Sequence, residues 1–474
     1  MNTVQKQIKN EDKLGIMRIP LWIGIAIRLV LIYGFPVLRD LLDGRIEITT
    51  PVTSFKRLRE GLYLFNHGLQ PYEGGVYHQA PLLLLIFSLI PEYITPIIFV
   101  LADWVVAKCL IAIAEFKIHL QESEVWPELT VADKKDKSTW VVETDDAEEA
   151  ACLPVVERRD FVDPNLDETL LQTESTKPVD ALIVPADYGP IYLLNPFSIA
   201  ACIAQSTQVF STLGSALALY FAYKGHRRAS MFTLSIATYL SLYPIVFIAP
   251  CILFLEHANK IGMKRTIYKS FAGLLFYTSG FLYLSYLLIG DWSFIEATYS
   301  VIIFVNDLRP NVGLFWYFNM EVFEQFRTFF ITVFHLNTFI FIIPISLRFK
   351  NDPLFVAGII GSFVSLFKSY PSIADVPLYL SLLMMQVNLF KYSHYMYLVA
   401  SGFAYCSVLG PLFFNSWVYA GSGNANFFYA ITLVWAVTQI MLMVDLIFAH
   451  IRREWDRVNP GWRRTRVQLI YLYE

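Results

Sequence analysis

Charge and cysteine are the scarce quantities in this chain. Only 16% of its 474 residues are Asp, Glu, Lys or Arg, against roughly 25% in soluble globular domains. So little charge argues against a soluble enzyme surface, and the 55% hydrophobic content makes this a polytopic membrane protein. The five cysteines, Cys109, Cys152, Cys202, Cys251 and Cys406, form no CxxC pair, and four lie in apolar spans. That spacing favours plain packing over a disulfide framework or a zinc site. GxGxxG, Walker and HExxH sequences are missing, as is GxSxG in a strand–turn–helix setting. No metal, cofactor or nucleic acid is implied. No internal repeat stands out, which ranks a transporter built of pseudo-repeats last.

What the chain does contain is a series of long apolar runs. Windows near the 17–25 residues that a bilayer requires give an all-α protein of about twelve spans, over 19–38, 94–116, 189–206, 207–223, 229–241, 243–257, 268–289, 326–347, 353–367, 374–390, 394–413 and 427–450. Residues 81–90 are too short to span and are expected at the interface. The N-terminal stretch is polar to Arg18, and the first apolar run holds Arg28 and no small-residue cleavage site, so it reads as a signal anchor. Basic residues cluster before the first span, at Lys224–Arg228, at Lys260–Lys269, at Arg348–Lys350 and after the last span. Threading twelve spans puts all of them on one side, with both termini cytosolic. Residues 39–80, the segment Asp307–Phe326 and residues 415–426 then share the opposite side. Residues 121–187 hold 18 Asp and Glu against 6 Lys and Arg, a net of −12; the whole chain is −3, so the remainder is +9. Low hydrophobicity with high charge favours disorder there, either as a solvated tether or as a docking segment. The expected organisation is an N-terminal arm (1–18), first spans (19–116, with the loop 39–80), an acidic cytosolic insert (117–188), the main bundle (189–450) and a basic tail (451–474).

Four segments carry candidate chemistry. Asp307–Phe326 holds polar residues, Pro310, Gly313 and a run of aromatics between two apolar spans. Such backbone survives at membrane level only in an interfacial loop or against other protein, so it forms a crown suited to recognition. Phe367-Lys-Ser-Tyr-Pro-Ser-Ile-Ala-Asp-Val-Pro377 is a tight connection between two spans, in which Lys368 either belongs to a structural turn or meets a lipid phosphate. In Tyr419-Ala-Gly-Ser-Gly-Asn-Ala-Asn-Phe-Phe-Tyr429, Asn424 and Asn426 offer donors and acceptors to sugar or phosphate oxygens, or cap the last span; the two roles are compatible. Lys264, Arg265, Arg452 and Arg453 either bind anionic headgroups or only set topology. Within the spans, Arg28, Asp103 and Lys108 are expected to pair internally, because charge in a membrane is costly.

The loop from Glu60 to Pro81 resembles the first lumenal loop of the polyprenyl-phosphate-sugar mannosyltransferases at Gly68, Pro71, Tyr72, Tyr77, Pro81 and Leu82. The acidic Asp-x-Asp pair of that family is missing: Ile48-Thr-Thr-Pro-Val-Thr-Ser-Phe55 stands upstream, leaving no evident general base or metal site. His67, Glu73 and His78 remain in the loop with turn and packing roles. The match becomes specific at Asn311-Val-Gly-Leu-Phe-Trp-Tyr-Phe318, at Phe367–Pro371 with Asp375 and Tyr379, and at Tyr419–Ser422 with Asn424, Asn426 and Phe427-Phe-Tyr-Ala-Ile-Thr432. With Tyr192-Leu-Leu-Asn-Pro196, Tyr239-Leu-Ser-Leu-Tyr-Pro244 and Arg452-Arg-Glu454, these closely resemble the U-subunit family of glycosylphosphatidylinositol (GPI) transamidase. The resemblance implies a GT-C-type multi-spanning glycosyltransferase fold with lumenal interfacial helices, converted to a non-catalytic role in the endoplasmic reticulum. Other subunits, including a cysteine protease, would perform the transfer of GPI to precursor proteins. This chain would bind and present the GPI lipid, and possibly the attachment-signal peptide. Asn424, Asn426 and Phe427 are the GPI contacts the resemblance implies, and Lys264, Lys368, Arg452 and Arg453 the weaker contacts to acidic phospholipid. The alternative is an active polyprenyl-phosphate-sugar glycosyltransferase, which would need the missing acids.

Overall fold

The computed structural model describes residues 20–123 and 185–458. The N-terminal arm, most of the acidic insert with Cys152, and the basic tail beyond residue 458 lie outside the described residues. Among the described residues every regular element is helical.

Five helices are long and apolar enough to cross a membrane: Thr95–Glu115, Met263–Ile289, Glu324–Arg348, Met396–Val418 and Ala425–Asp456. A sixth candidate is the pair Leu21–Gly34 and Pro36–Asp43, bent by 93°. The bend falls at Gly34-Phe35-Pro36 because Pro36 disfavours helical backbone at Phe35 and opens a new helix as its first residue. The other expected spans fall on shorter helices. The window 189–206 divides into Tyr188–Leu194 and Pro196–Ile203, where Asn195 ends one and caps the next by accepting from Phe197 N at 2.9 Å. Gln208–Tyr223 and Arg227–Ser241 are 16 and 15 residues long. Window 243–257 opens as a 3-10 turn before Ile248–Asn259, and 374–390 breaks after Met384. Pro196, Pro244 and Pro377 stand at the first two positions of the new helical segments, where a missing N–H costs nothing.

The described residues fall into two compact units. The larger takes residues up to 114, those from 183 to 386 and those from 395 to 443. Its short helices Gln208–Tyr223 and Arg227–Ser241 pack closely because Gly214 lacks a side chain: a Cβ there would lie 2.9 Å from Ala237 Cβ. Phe55, Phe87, Phe99 and Phe210 form an aromatic core, with neighbouring ring centroids 4.8 Å apart at Phe99–Phe210 and 5.5 Å at Phe55–Phe87. A buried charge sits beside it. Arg28 Nε meets Asp103 Oδ2 at 3.1 Å, Arg28 Nη2 donates to Ser198 Oγ at 2.8 Å, and Tyr192 Oη donates to Asp103 Oδ1 at 3.1 Å. Asp103 thus pairs with Arg28, while the Lys108 ammonium lies over the Trp104 ring, 5.8 Å from its centroid. In the smaller unit, residues 115–123, 387–394 and 444–458, the His394 amide donates to Asp445 Oδ1 at 2.9 Å.

Candidate functional site

The crown is held by a helix and a loop far away in sequence. Arg57, on the helix Phe55–Asn66, donates from Nη2 to Asp307 Oδ2 at 2.9 Å and from Nη1 to the Val76 carbonyl at 3.0 Å. Tyr370 Oη donates to the Asp307 carbonyl at 2.9 Å and accepts from Asp307 N at 3.2 Å. Burial lowers the Arg57 pKa, an effect the hydrogen bond to Asp307 opposes. Gly313 then lies against Pro371, where a Cβ would come within 2.4 Å of the proline ring, so the loop closes only with glycine. Gly313 N donates to the buried Asn311 Oδ1 at 2.8 Å, which turns the chain into the short helix Phe315–Glu321.

That helix packs onto the start of the last helix. The buried Trp316 ring lies 6.0 Å from Phe428, 5.9 Å from Tyr429 and 6.1 Å from Trp417, centroid to centroid. Tyr317 stacks on Tyr429 at 4.4 Å, and its hydroxyl donates to Asn426 Oδ1. Asn424 caps the helix Ala425–Val458: its Oδ1 accepts from Phe427 N at 3.3 Å. Asn424 and Asn426 are exposed, and Phe427 is 54% exposed with its ring 6.0 Å from Phe413. Asn424, Asn426 and Phe427 therefore come together with Tyr317 as an open polar rim over an aromatic floor. Tyr317 belongs to the segment singled out by its aromatic run, but its pairing with Asn426 crosses 109 residues and leaves no local signal.

The remaining candidates do not join this rim. Lys368 is only 4% exposed, and its Nζ meets Asp375 Oδ1 at 2.6 Å. Asp375 Oδ2 also accepts from Ser372 N at 2.9 Å, which makes Lys368–Asp375 the clamp of the turn between two helices. Lys264 is exposed near the start of Met263–Ile289. Its neighbour Arg265 lines a cup of about 510 Å³ with Arg227, Arg228 and Lys269. Arg452 Nε meets Asp456 Oδ1 at 3.2 Å, and its guanidinium lies over the Trp455 ring at 4.8 Å. Arg453, the next residue, is half-buried.

In the first loop, His78 Nδ1 lies 2.8 Å from the Ala297 carbonyl, in a stretch where the helix widens to a π turn at Glu296–Ser300. Burial lowers the His78 pKa. His67 Nδ1 lies 2.7 Å from the Tyr63 carbonyl of its own helix, and Glu73 is exposed. Glu47 is 5% exposed, with neither carboxyl oxygen hydrogen-bonded, and burial raises its pKa. Among the described residues no three His, Cys, Asp or Glu side chains group to hold a metal ion.

Residues 22–435 match the family described as GPI transamidase subunit PIG-U. The chain is 33% identical to "GPI-anchor transamidase component PIGU" of Homo sapiens over 430 residues, 88% of this chain and 90% of the relative. It is 31% identical to "GPI transamidase component GAB1" of Saccharomyces cerevisiae over 449 residues, 94% of this chain and 97% of the relative. A homologue from Schizosaccharomyces pombe is 30% identical over 421 residues, 89% of this chain and 90% of the relative. With the family matched from the first helix into the last, this chain belongs to the PIG-U family of GPI transamidase subunits.

Proposed function

We propose that this chain is a non-catalytic subunit of an endoplasmic-reticulum GPI transamidase, and that it binds the GPI lipid and presents it to a cysteine-protease subunit. The observation that carries the reading is the rim itself. Two exposed asparagines and an exposed Phe427 stand on a buried aromatic floor at the end of a membrane helix. Such a site offers amide groups to a glycan or phosphate and an apolar edge to the adjoining lipid. Holding one substrate in place beside a catalytic group supplied by another chain is catalysis by positioning.

In the same reading both termini are cytosolic, the short buried helices complete a bundle of about twelve segments of the GT-C type, and the signal peptide of the precursor is a second ligand. Acidic phospholipid meets Lys264 beside its basic cup and the Arg452–Arg453 pair. Lys368 takes part through its clamp with Asp375 more than as an open headgroup contact, because an ammonium so buried has little surface to offer. The glycosyltransferase alternative finds weaker support. The loop before Phe55 has no Asp-x-Asp pair, and among the described residues no three His, Cys, Asp or Glu side chains group to hold a metal ion.

The test is affinity purification of the tagged chain from mild-detergent membranes, wild type beside Asn424→Ala/Asn426→Ala. The double variant is expected to keep its partner subunits and lose bound GPI. GPI retained at the wild-type level would reduce the asparagines to helix caps. Mannose transfer by the purified chain would replace the whole reading with the alternative.

A further inference from the structure

A polar cavity of about 40 Å³ lies in the larger unit beside the Lys368–Asp375 clamp. Its wall takes Gln208 and Ser215 from the helix Gln208–Tyr223, Ser365 from Pro353–Phe367, Lys368 and Asp375 from the turn, and Tyr379 from Val376–Met384. Gln208 is 8% exposed, and its Oε1 has no hydrogen-bond partner. An ammonium carries three donors, and among the described residues Asp375 Oδ1 is the one acceptor that Lys368 Nζ meets. A buried ammonium with two idle donors and a buried amide oxygen with no donor each cost free energy. The two line the same cavity, yet Gln208 Oε1 accepts nothing from Lys368.

Whatever joins them is small and neutral. The clamp cancels its own charge, so a cation in the cavity would meet the Lys368 ammonium and an anion the Asp375 carboxylate. The volume suits about two or three water molecules, each able to make about three hydrogen bonds. The position matters because successive residues of the turn grip different parts of the molecule. Ser369 N donates to Tyr243 Oη at 2.9 Å, and Ser369 Oγ donates to the Ile302 carbonyl at 2.6 Å. Tyr370 holds Asp307 and Pro371 lies against Gly313, so Lys368 anchors the loop on which the crown rests.

We propose that this cavity is a water-binding site, in which a cluster of about two or three ordered waters bridges the Lys368 ammonium to Gln208 Oε1 and so fixes the turn that carries the crown. The site is independent of where GPI binds and would stand if that reading failed.

The experiment is X-ray hydroxyl-radical footprinting of the protein purified with its partners, read by mass spectrometry. Radiolysis of a bound water oxidises the side chains around it, however deeply they are buried. Tyr379 and Tyr77 are each 1% exposed, and of the two Tyr379 lines the cavity. Tyr379 is expected to be oxidised several-fold faster than Tyr77. Ser365→Val, which replaces a hydroxyl on the wall by two methyl groups, is expected to remove the difference. Equal, slow oxidation of both tyrosines in the wild type would mean a dry cavity and overturn the proposal, whether or not any variant folds. A difference that survives Ser365→Val would place the water elsewhere. The bridge itself is read from unfolding temperatures. Gln208→Leu is expected to lower that of the wild type by about 2–4 °C, and that of a Lys368→Met/Asp375→Asn background by much less, because no ammonium remains there to be solvated. Losses that simply add would sink the bridge, and a Gln208→Leu protein more stable than the wild type would again mark the cavity as dry.

Discussion

Two helices of this chain show how differently apolar sequence is used. Pro353–Phe367 is 15 residues long, and 13 of them are buried. Met263–Ile289 is 27 residues long, and its apolar window is only 11% buried. The longer helix exposes Tyr268, Phe271, Leu275, Phe276 and Tyr283. The shorter packs Gly358 against Leu383 and Gly361 against Tyr379. Length and burial run in opposite directions because the two helices meet different solvents. A helix facing hydrocarbon must satisfy its backbone across the whole bilayer, so it is long and carries large side chains outward. A helix inside the bundle needs only partners, so it can be short and depends on small residues that let neighbours approach.

The largest expected effect tests the interior at its most expensive point. Asp103→Ala leaves the fully buried Arg28 guanidinium without its counter-charge. Breaking a buried pair from one side costs about 3–5 kcal/mol, so the variant should fail to accumulate or should unfold at much lower temperature in detergent. A stable, normally assembled Asp103→Ala chain would mean that the Gly24 and Leu193 carbonyls and Ser198 suffice to hold Arg28. Glycine substitutions set the two helices directly against each other. At Gly358 an added Cβ would stand 2.6 Å from Leu383 Cδ2, while at Gly280 on the outer helix it would meet nothing within 4 Å. Gly358→Val should cost about 1–3 kcal/mol by overpacking, whereas Gly280→Ala should be neutral to slightly stabilising. Equal unfolding temperatures for the two variants would erase the distinction drawn between inner and outer helices.

Two buried ionisable groups of the first loop give smaller effects of opposite sign. The His78 pKa is lowered by burial, so its contribution is complete above the ordinary value of about 6.5 and is lost as pH falls through the window below it. His78→Gln should flatten thermal stability against pH on that acid side. The Glu47 pKa is raised by burial, so its contribution is complete below the ordinary value of 4.5 and is lost as pH rises through the folded value. Glu47→Gln removes the charge that must be neutralised, and should raise the melting temperature at neutral pH with little change near pH 4. A lower melting temperature at neutral pH would show that Glu47 needs its charge.

Much of the organisation was legible without coordinates, because its causes are local. Asn424 before Ala425 marks the start of the last helix, whereas the breaks at Phe35-Pro36 and Asn195-Pro196 fall inside the windows 19–38 and 189–206 that hydropathy joins into single spans. The crown was visible as polar and aromatic residues between two apolar runs, and Asp103 could be expected to seek a cation within the bundle. Hydropathy alone could not separate a short interior helix from a membrane crossing. Windows such as 243–257 and 374–390 are apolar because other helices cover them, and a window sum cannot tell protein from lipid.

The sequence by itself determined the helical class, the cap of the last helix and the family, since each follows from the order of residues along the chain. Tertiary structure alone decided the partners. Asp307 meets Arg57 across 250 residues, Tyr317 meets Asn426 across 109, and Lys368 turns inward to Asp375 when its position at a span end had left it equally open to lipid. Such choices depend on which helix faces come together and how much water their packing leaves, and periodicity or local propensity contains neither quantity.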